Sequence, residues 1–219
     1  MNRAAFISGV EGLSLLEHEK GFFSKSRPLG LILFARNIES EDQIKRLIGD
    51  VRDAVGAEDF WVLIDQEGGR VQRLRPPLFP NLPAARRYTE LYKKDPTKAE
   101  LAVFEIGKLM GKRLLDLGIT MNCAPCLDAA QVDAHDIIGD RSFGLEVELI
   151  VKLGRLQAEG HLAAGSLPVM KHIPGHGRAD ADSHLALPQI DASHEVLSAV
   201  DFEPFRQLNR LPVAMTAHV

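Results

Sequence analysis

The chain has 219 residues, 45% of them hydrophobic and 26% charged, with a formal net charge of -4, the profile of a globular protein of one large domain or two small ones. A pI near 6.1 and scattered lysines and arginines exclude the basic footprint of a nucleic-acid binder, and no apolar run approaches the roughly 18 residues of a membrane span. The N-terminal "MNRAAFISGVEG" lacks the apolar core and cleavage site of a secretory signal, so a cytoplasmic protein without nucleic-acid or membrane partners is expected.

In chain order, residues 4–9 ("AAFISG") read as a short strand and residues 12–25 carry helical spacing. The continuous apolar run 29–35 ("LGLILFA") reads as a buried strand. Residues 40–56 open on Ser40 as N-cap candidate, close on Gly56, and place Ile44, Leu47, Ile48 and Val51 at helical spacing. "FWVLID" (60–65) is a further buried strand, followed by a Pro-rich loop (76–83). A helix near 97–117 carries Leu101, Phe104, Ile106, Leu109 and Leu114. "GITMNCA" (118–124) is a strand, 146–164 a helix, "LPVMKH" (167–172) a strand, 194–209 a helix, and "LPVAMTAHV" (211–219) a strand. Strands apolar throughout are buried on both faces, which means a parallel α/β sheet covered by helices. A doubly wound sheet and a (β/α)8 TIM barrel both fit; about six strand–helix units are present where a barrel has eight.

The polar motifs close the strands. "DQEGGR" follows the third, "NCAPCLD" the fourth, "KHIPGHG" the fifth and "TAHV" the sixth. In either fold these C-terminal ends carry ligands. In "LIDQEGGRVQRL", Asp65 stands at the strand end, Gly68–Gly69 make a tight turn, and Arg70 and Arg73 follow. A carboxylate beside a guanidinium fork grips vicinal hydroxyls of a sugar, one accepting and one donating; a structural ion pair on the sheet rim fits these residues equally well. The spacing is not that of a phosphate loop, and Glu67 would repel an anion. "IIGDRSFG" places Arg141 in a loop between glycines, which on its own reads as a surface arginine. Lys171 lies in an apolar strand, where a buried ammonium is costly unless paired, and points to function; His172 follows it. His172 and His176 are four apart, a metal-ligand spacing on a helix, but Pro174 and Gly175 remove the helix, and His176 is assigned to holding the loop. Cys123 and Cys126, spaced "CAPC", follow an apolar strand with a proline between them, and read as reduced structural thiols. No metal and no cofactor are expected.

Together, "DQEGGRVQRL", "IGDRSFG" and "KHIPGHGRADADSHLALP" resemble the family 3 glycoside hydrolases, in order and across nearly the whole chain, and most of all the bacterial single-domain β-N-acetylglucosaminidase branch of cell-wall recycling. The resemblance implies a (β/α)8 barrel that cleaves terminal β-linked N-acetylglucosamine from muropeptides, a small carbohydrate substrate. It implies a sugar grip by Asp65, Arg73, Arg141, Lys171 and His172, and an acid/base His184 partnered by Asp182. A histidine suits that role because its ordinary pKa of about 6.5 lies near working pH, and an aspartate two residues away can set its tautomer. Gly175 and Gly177 are expected to let this loop swing over the substrate. The family's nucleophile is an aspartate on a later strand end, beyond "MTAHV". Residues 1–219 are therefore expected to be a single, C-terminally truncated barrel domain, inactive by itself and poorly soluble or oligomeric. A vestigial sugar-binding protein, or a phosphorylase that uses phosphate instead of water, stays open beside the hydrolase.

Overall fold

The computed structural model describes residues 3–131, 136–179 and 189–217. In chain order it contains β1 (Ala4–Ser8), α1 (Glu17–Ser26), β2 (Pro28–Leu33), α2 (Glu41–Val55), β3 (Trp61–Ile64), β4 (Gln66–Gly68), β5 (Val71–Gln72), α3 (Ala85–Tyr92), α4 (Pro96–Asp116), β6 (Met121–Asn122), α5 (Val147–Ala164), β7 (Leu167–Ile173), α6 (His194–Val196), α7 (Glu203–Gln207) and β8 (Val213–Thr216). Six strands form one sheet in the order β1-β2-β3-β6-β7-β8, every neighbouring pair parallel. Sequential parallel order with a helical crossover each time is the winding of a barrel rather than of a doubly wound sheet, whose order reverses at a switch point. The result is a curled half-barrel that covers six of the eight barrel units. No described helix is long and apolar enough to cross a membrane.

Local chemistry accounts for the elements. Ser40 caps α2 by accepting from the Gln43 amide, and Gly56 ends it at φ 67°, a left-handed turn that glycine adopts at little cost. The spaced apolar residues Ile44, Leu47, Ile48 and Val51 are buried against Leu31, Leu33, Val62 and Ile64 of the strands. The first helix begins later than its spacing suggests, because the Glu19 carboxylate accepts from the amides of Glu11 and Leu16 and holds that stretch irregular. Asp95 caps α4 through the Lys98 amide with Pro96 in its first turn. The buried face of α4 is Ala99, Val103, Gly107, Met110, Gly111 and Leu114, whereas Leu101 and Leu109 are exposed. Small residues win that face because α5 comes close: a Cβ on Gly107 would stand 2.4 Å from the Gln157 carbonyl oxygen.

Two elements absent from the sequence reading are the β4–β5 hairpin and α3. The hairpin is too short to show alternation and is held by side chains instead. Gln66 accepts from the amides of Arg73 and Leu74 and donates to the Leu74 carbonyl. Gln72 donates to the carbonyls of Leu74 and Pro80 and accepts from the Leu82 amide, which fastens the Pro-rich loop. Helix α3 is polar, with only Tyr88 and Thr89 buried. Strand β6 is shorter than expected, two residues; at its end Asn122 continues the pairing with its side chain, accepting from the Gln66 amide and donating to the Gln66 carbonyl.

Candidate active site

The C-terminal ends of β2, β3, β7 and β8 enclose a cavity of about 360 Å³. All five residues expected to grip the sugar, Asp65, Arg73, Arg141, Lys171 and His172, line it, together with His176 and an apolar wall that includes Ile32, Phe34, Val71, Ile137 and Met215. They arrive from separate elements. Asp65 directly follows β3, Arg73 returns through the β4–β5 hairpin, Arg141 stands on the short turn Gly139–Arg141, and Lys171 and His172 are in β7.

These groups form one ion-pair network. Lys171 Nζ lies 2.8 Å from Asp65 Oδ1 and 2.6 Å from Glu67 Oε1. Arg73 Nη2 reaches Asp65 Oδ2 at 3.2 Å. Arg141 grips both oxygens of Glu67, Nε to Oε2 at 2.9 Å and Nη2 to Oε1 at 2.8 Å, and donates through Nη1 to the Ile137 carbonyl. Lys171 is 1% exposed, so its pairing is what makes an ammonium tolerable in an apolar strand. The rim ion pair and the hydroxyl grip are thus not alternatives: Asp65 is ion-paired and also lines the cavity.

The electrostatics follow from that geometry. Burial alone would raise the Asp65 carboxyl, but Lys171 and then Arg73 outweigh it and hold its pKa at about 2. Burial likewise opposes ionisation of Glu67, and Lys171 and Arg141 override it and keep the carboxyl below its ordinary range. Burial disfavours the Lys171 ammonium, while Glu67 and Asp65 hold it charged, with a pKa above the ordinary value. Three cations therefore meet two carboxylates, and the cavity wall carries an excess of hydrogen-bond donors.

Behind this wall lies a second carboxylate group. Asp128 is fully buried. Its Oδ2 accepts from His172 Nδ1 at 2.6 Å and from Cys126 Sγ at 3.2 Å; its Oδ1 accepts from the amides of His172 at 3.2 Å and His176 at 2.8 Å. Burial would raise its pKa, but the charge and hydrogen bonding of His172, with the His176 amide, hold it at about 2. Cys126, Asp128 and His172 bring one potential metal-ligand atom each within 4.8 Å of one another. A carboxylate offers about four lone-pair sites, and here four donors occupy them, so hydrogen bonding accounts for the convergence. Both cysteines are free and buried. Burial, with the neighbouring Asp128 charge, pushes the Cys126 thiol well up.

Asp182 and His184 lie outside the described residues. The stem that leads to them is closely packed. A Cβ on Gly177 would stand 2.1 Å from the Ala129 carbonyl oxygen, and Gly175, at φ 141°, sits against Asp201. Both glycines allow a close backbone approach here; the loop that they are expected to swing lies outside the described residues. Arg178 fastens the same stem through Nε to Asp201 Oδ2 at 2.7 Å.

Sequence reasoning missed Glu67 and Asp128 as parts of the site. Glu67 alternates with Gln66 and reads as a loop charge; Asp128 closes "NCAPCLD" with nothing beside it to betray its four donors. The one available signal was position, since each follows a strand end in the polar clusters already noted.

Over residues 15–219 the chain matches the glycosyl hydrolase family 3 N-terminal domain. It is 39% identical over 213 residues to a beta-hexosaminidase of Alkalilimnicola ehrlichii, covering 96% of this chain and 60% of that protein. Native NagZ from Neisseria gonorrhoeae has the same fold, with a TM-score of 0.91 at 33% identity over 99% of this chain and 63% of that one. NagZ from the same organism in complex with N-trifluoroacetyl-D-glucosamine gives a TM-score of 0.91 at 32% identity, over 99% of this chain and 64% of that one. The chain thus spans about 60% of the length of the curated relative it matches. With the sheet winding and the strand-end site already in place, a family match over nearly all of its residues shows that the chain belongs to glycosyl hydrolase family 3.

Proposed function

We propose that the protein is a retaining β-N-acetylglucosaminidase that removes terminal N-acetylglucosamine from peptidoglycan fragments. The observation that carries this reading is the convergence of Asp65, Arg73, Arg141, Lys171 and His172 on one cavity at the strand ends. Asp65 accepts from one sugar hydroxyl while Arg73 and Lys171, already bonded to it, donate to its neighbours. Glu67 keeps Arg141 and Lys171 aimed by neutralising them from below. The beta-hexosaminidase relative and the glucosamine-derivative complex of NagZ support the same substrate class.

His184, paired with Asp182, is proposed as the acid/base, which protonates the leaving oxygen and then activates water. Of the described residues that precede it, His176 lines the cavity and Ala179 is buried. Among the described residues, Asp65 is the carboxylate on that wall, and it is committed to Lys171 and Arg73. The nucleophile is therefore assigned to a residue other than these, in keeping with the family resemblance.

The test is turnover of N-acetyl-β-glucosaminides by the complete protein. His184→Ala should slow substrates with poor leaving groups far more than activated aryl glycosides, because an activated group needs little protonation. Equal losses on both would remove His184 from the acid/base role. Binding of N-acetylglucosamine with no turnover by the complete protein would favour a sugar-binding protein instead.

A further inference from the structure

Among the described residues, the most heavily engaged buried charge lies behind the cavity and not on its wall. Asp128 is 0% exposed. An aspartate buried so completely costs several kcal/mol of lost hydration, and a fold that needed only to satisfy backbone donors at this point would hold them with an asparagine at less cost. The carbonyl oxygen of an amide would take the amides of His172 and His176 as Asp128 Oδ1 does. What an amide cannot do is accept at the second position, where His172 Nδ1 and Cys126 Sγ both approach. The carboxylate therefore forces the imidazole proton onto Nδ1, because an acceptor-only group faces that nitrogen. The opposite edge of the ring, with Nε2, is left to the cavity, which His172 lines with 16% of its side chain exposed.

We propose that Asp128 is a positioning residue of the sugar site: it fixes His172 as the tautomer protonated at Nδ1, so that Nε2 meets the sugar as an acceptor, and it ties the turn that carries His176 to the same carboxylate. The sugar itself rests on the function proposed above; the tautomer does not. The two roles share one cause. Oδ2 sets the ring and Oδ1 sets the backbone on which the ring is mounted, so neither can shift without the other. The geometry gives the site a division of labour: Lys171, Arg73 and Arg141 are donors, while His172 joins Asp65 as an acceptor. A ring with the proton on Nε2 would instead add a fourth donor to a wall that already has an excess of them.

The experiment uses the complete protein labelled with ¹⁵N-histidine. Long-range ¹H–¹⁵N correlation spectra at neutral pH distinguish the two tautomers, and the His172 signals are assigned by their loss in His172→Gln. The wild type is expected to be protonated at Nδ1 alone; a ring protonated at Nε2, with or without Nδ1, overturns the proposal. Asp128→Asn should move the proton to Nε2 and weaken N-acetylglucosamine binding about 10- to 100-fold, the range of a charge-assisted hydrogen bond lost or reversed. In the His172→Gln background the same change should add less than about threefold, because Asp128 acts through His172. Full additivity of the two losses would make Asp128 a structural residue and overturn the proposal. If Asp128→Asn does not fold, the wild-type spectrum carries the decision alone. If N-acetylglucosamine fails to bind even the wild type, the sugar reading falls while the spectrum still decides the tautomer.

Discussion

Glu67→Gln removes one charge from the network at constant volume. In the wild type, Glu67 Oε1 takes both Lys171 and Arg141 Nη2, and Oε2 takes Arg141 Nε. The amide oxygen can keep the first pair, but the amide nitrogen then faces Arg141 Nε donor to donor. Arg141 then keeps only its Nη2 bond and the Ile137 carbonyl, with no carboxylate against it, and Lys171 has as its remaining counter-charge an Asp65 that Arg73 shares. The Glu67 side chain is 7% exposed and that of Arg141 11%, so solvent recovers little. Breaking a buried pair of this kind costs about 3–5 kcal/mol, which for a chain of 150–250 residues lowers Tm by roughly 6–20 °C. Removing an exposed partner, as in Glu100→Gln beside Lys152, should cost below about 1 kcal/mol. The comparison is made by thermal and urea unfolding of the complete protein at neutral pH. The sign with pH is fixed by the lowered pKa of Glu67: its contribution is complete above the unfolded value and is lost as pH falls through the folded one. The gap between wild type and Glu67→Gln should therefore close in acid. A variant that melts within about 2 °C of the wild type at neutral pH, or a gap that widens in acid, would refute the view that Glu67 neutralises the grip from below.

Asp65→Ala removes an acceptor from the cavity wall, and loss of a single charge-assisted bond, worth about 1.5–3 kcal/mol, should weaken N-acetylglucosamine binding roughly 10- to 150-fold in calorimetry; unchanged affinity would remove Asp65 from the grip. His161, buried beside Asn122, is pushed down by burial from 6.5 to about 4, so the unfolded chain binds the extra proton and stability present above pH 6.5 is lost as pH falls toward 4. That amounts to about 3 kcal/mol, and His161→Gln should flatten the urea midpoint between those two pH values, whereas an unchanged slope would refute the assignment. Gly177→Ala places a methyl against the Ala129 carbonyl oxygen and should destabilise the protein by about 1–3 kcal/mol; a neutral result would refute the close packing of this glycine.

What the sequence discloses here depends on how far away each residue's partner lies. Helix α2 was legible because everything that decides it is local, from the Ser40 cap to the Gly56 stop and an apolar stripe between them. The strands were legible as apolar runs, largely buried in β2 and β3 and partly exposed in β1 and β8. Helix α4 was legible as a helix but not as a surface: its inward face follows the close approach of α5 at Gly107, a tertiary fact that outranks the larger leucines. The same division runs through the site. Asp65, Arg73, Arg141, Lys171 and His172 stood out as charged or polar groups at strand ends or inside recognisable motifs, and the structure gathers them in one cavity. Glu67 and Asp128 did not, because a carboxylate in a loop looks solvated until its partners are known, and theirs lie 74 residues away at Arg141 and 44 residues away at His172. Those two hidden acids are nevertheless what gives the visible residues their properties. Glu67 makes it possible for Lys171 and Arg141 to stay charged while buried, and Asp128 places an acceptor-only group behind His172. A wall of cations assembled without them would repel itself apart or lose protons to burial, so the chemistry presented to a sugar is set from the inner layer outward.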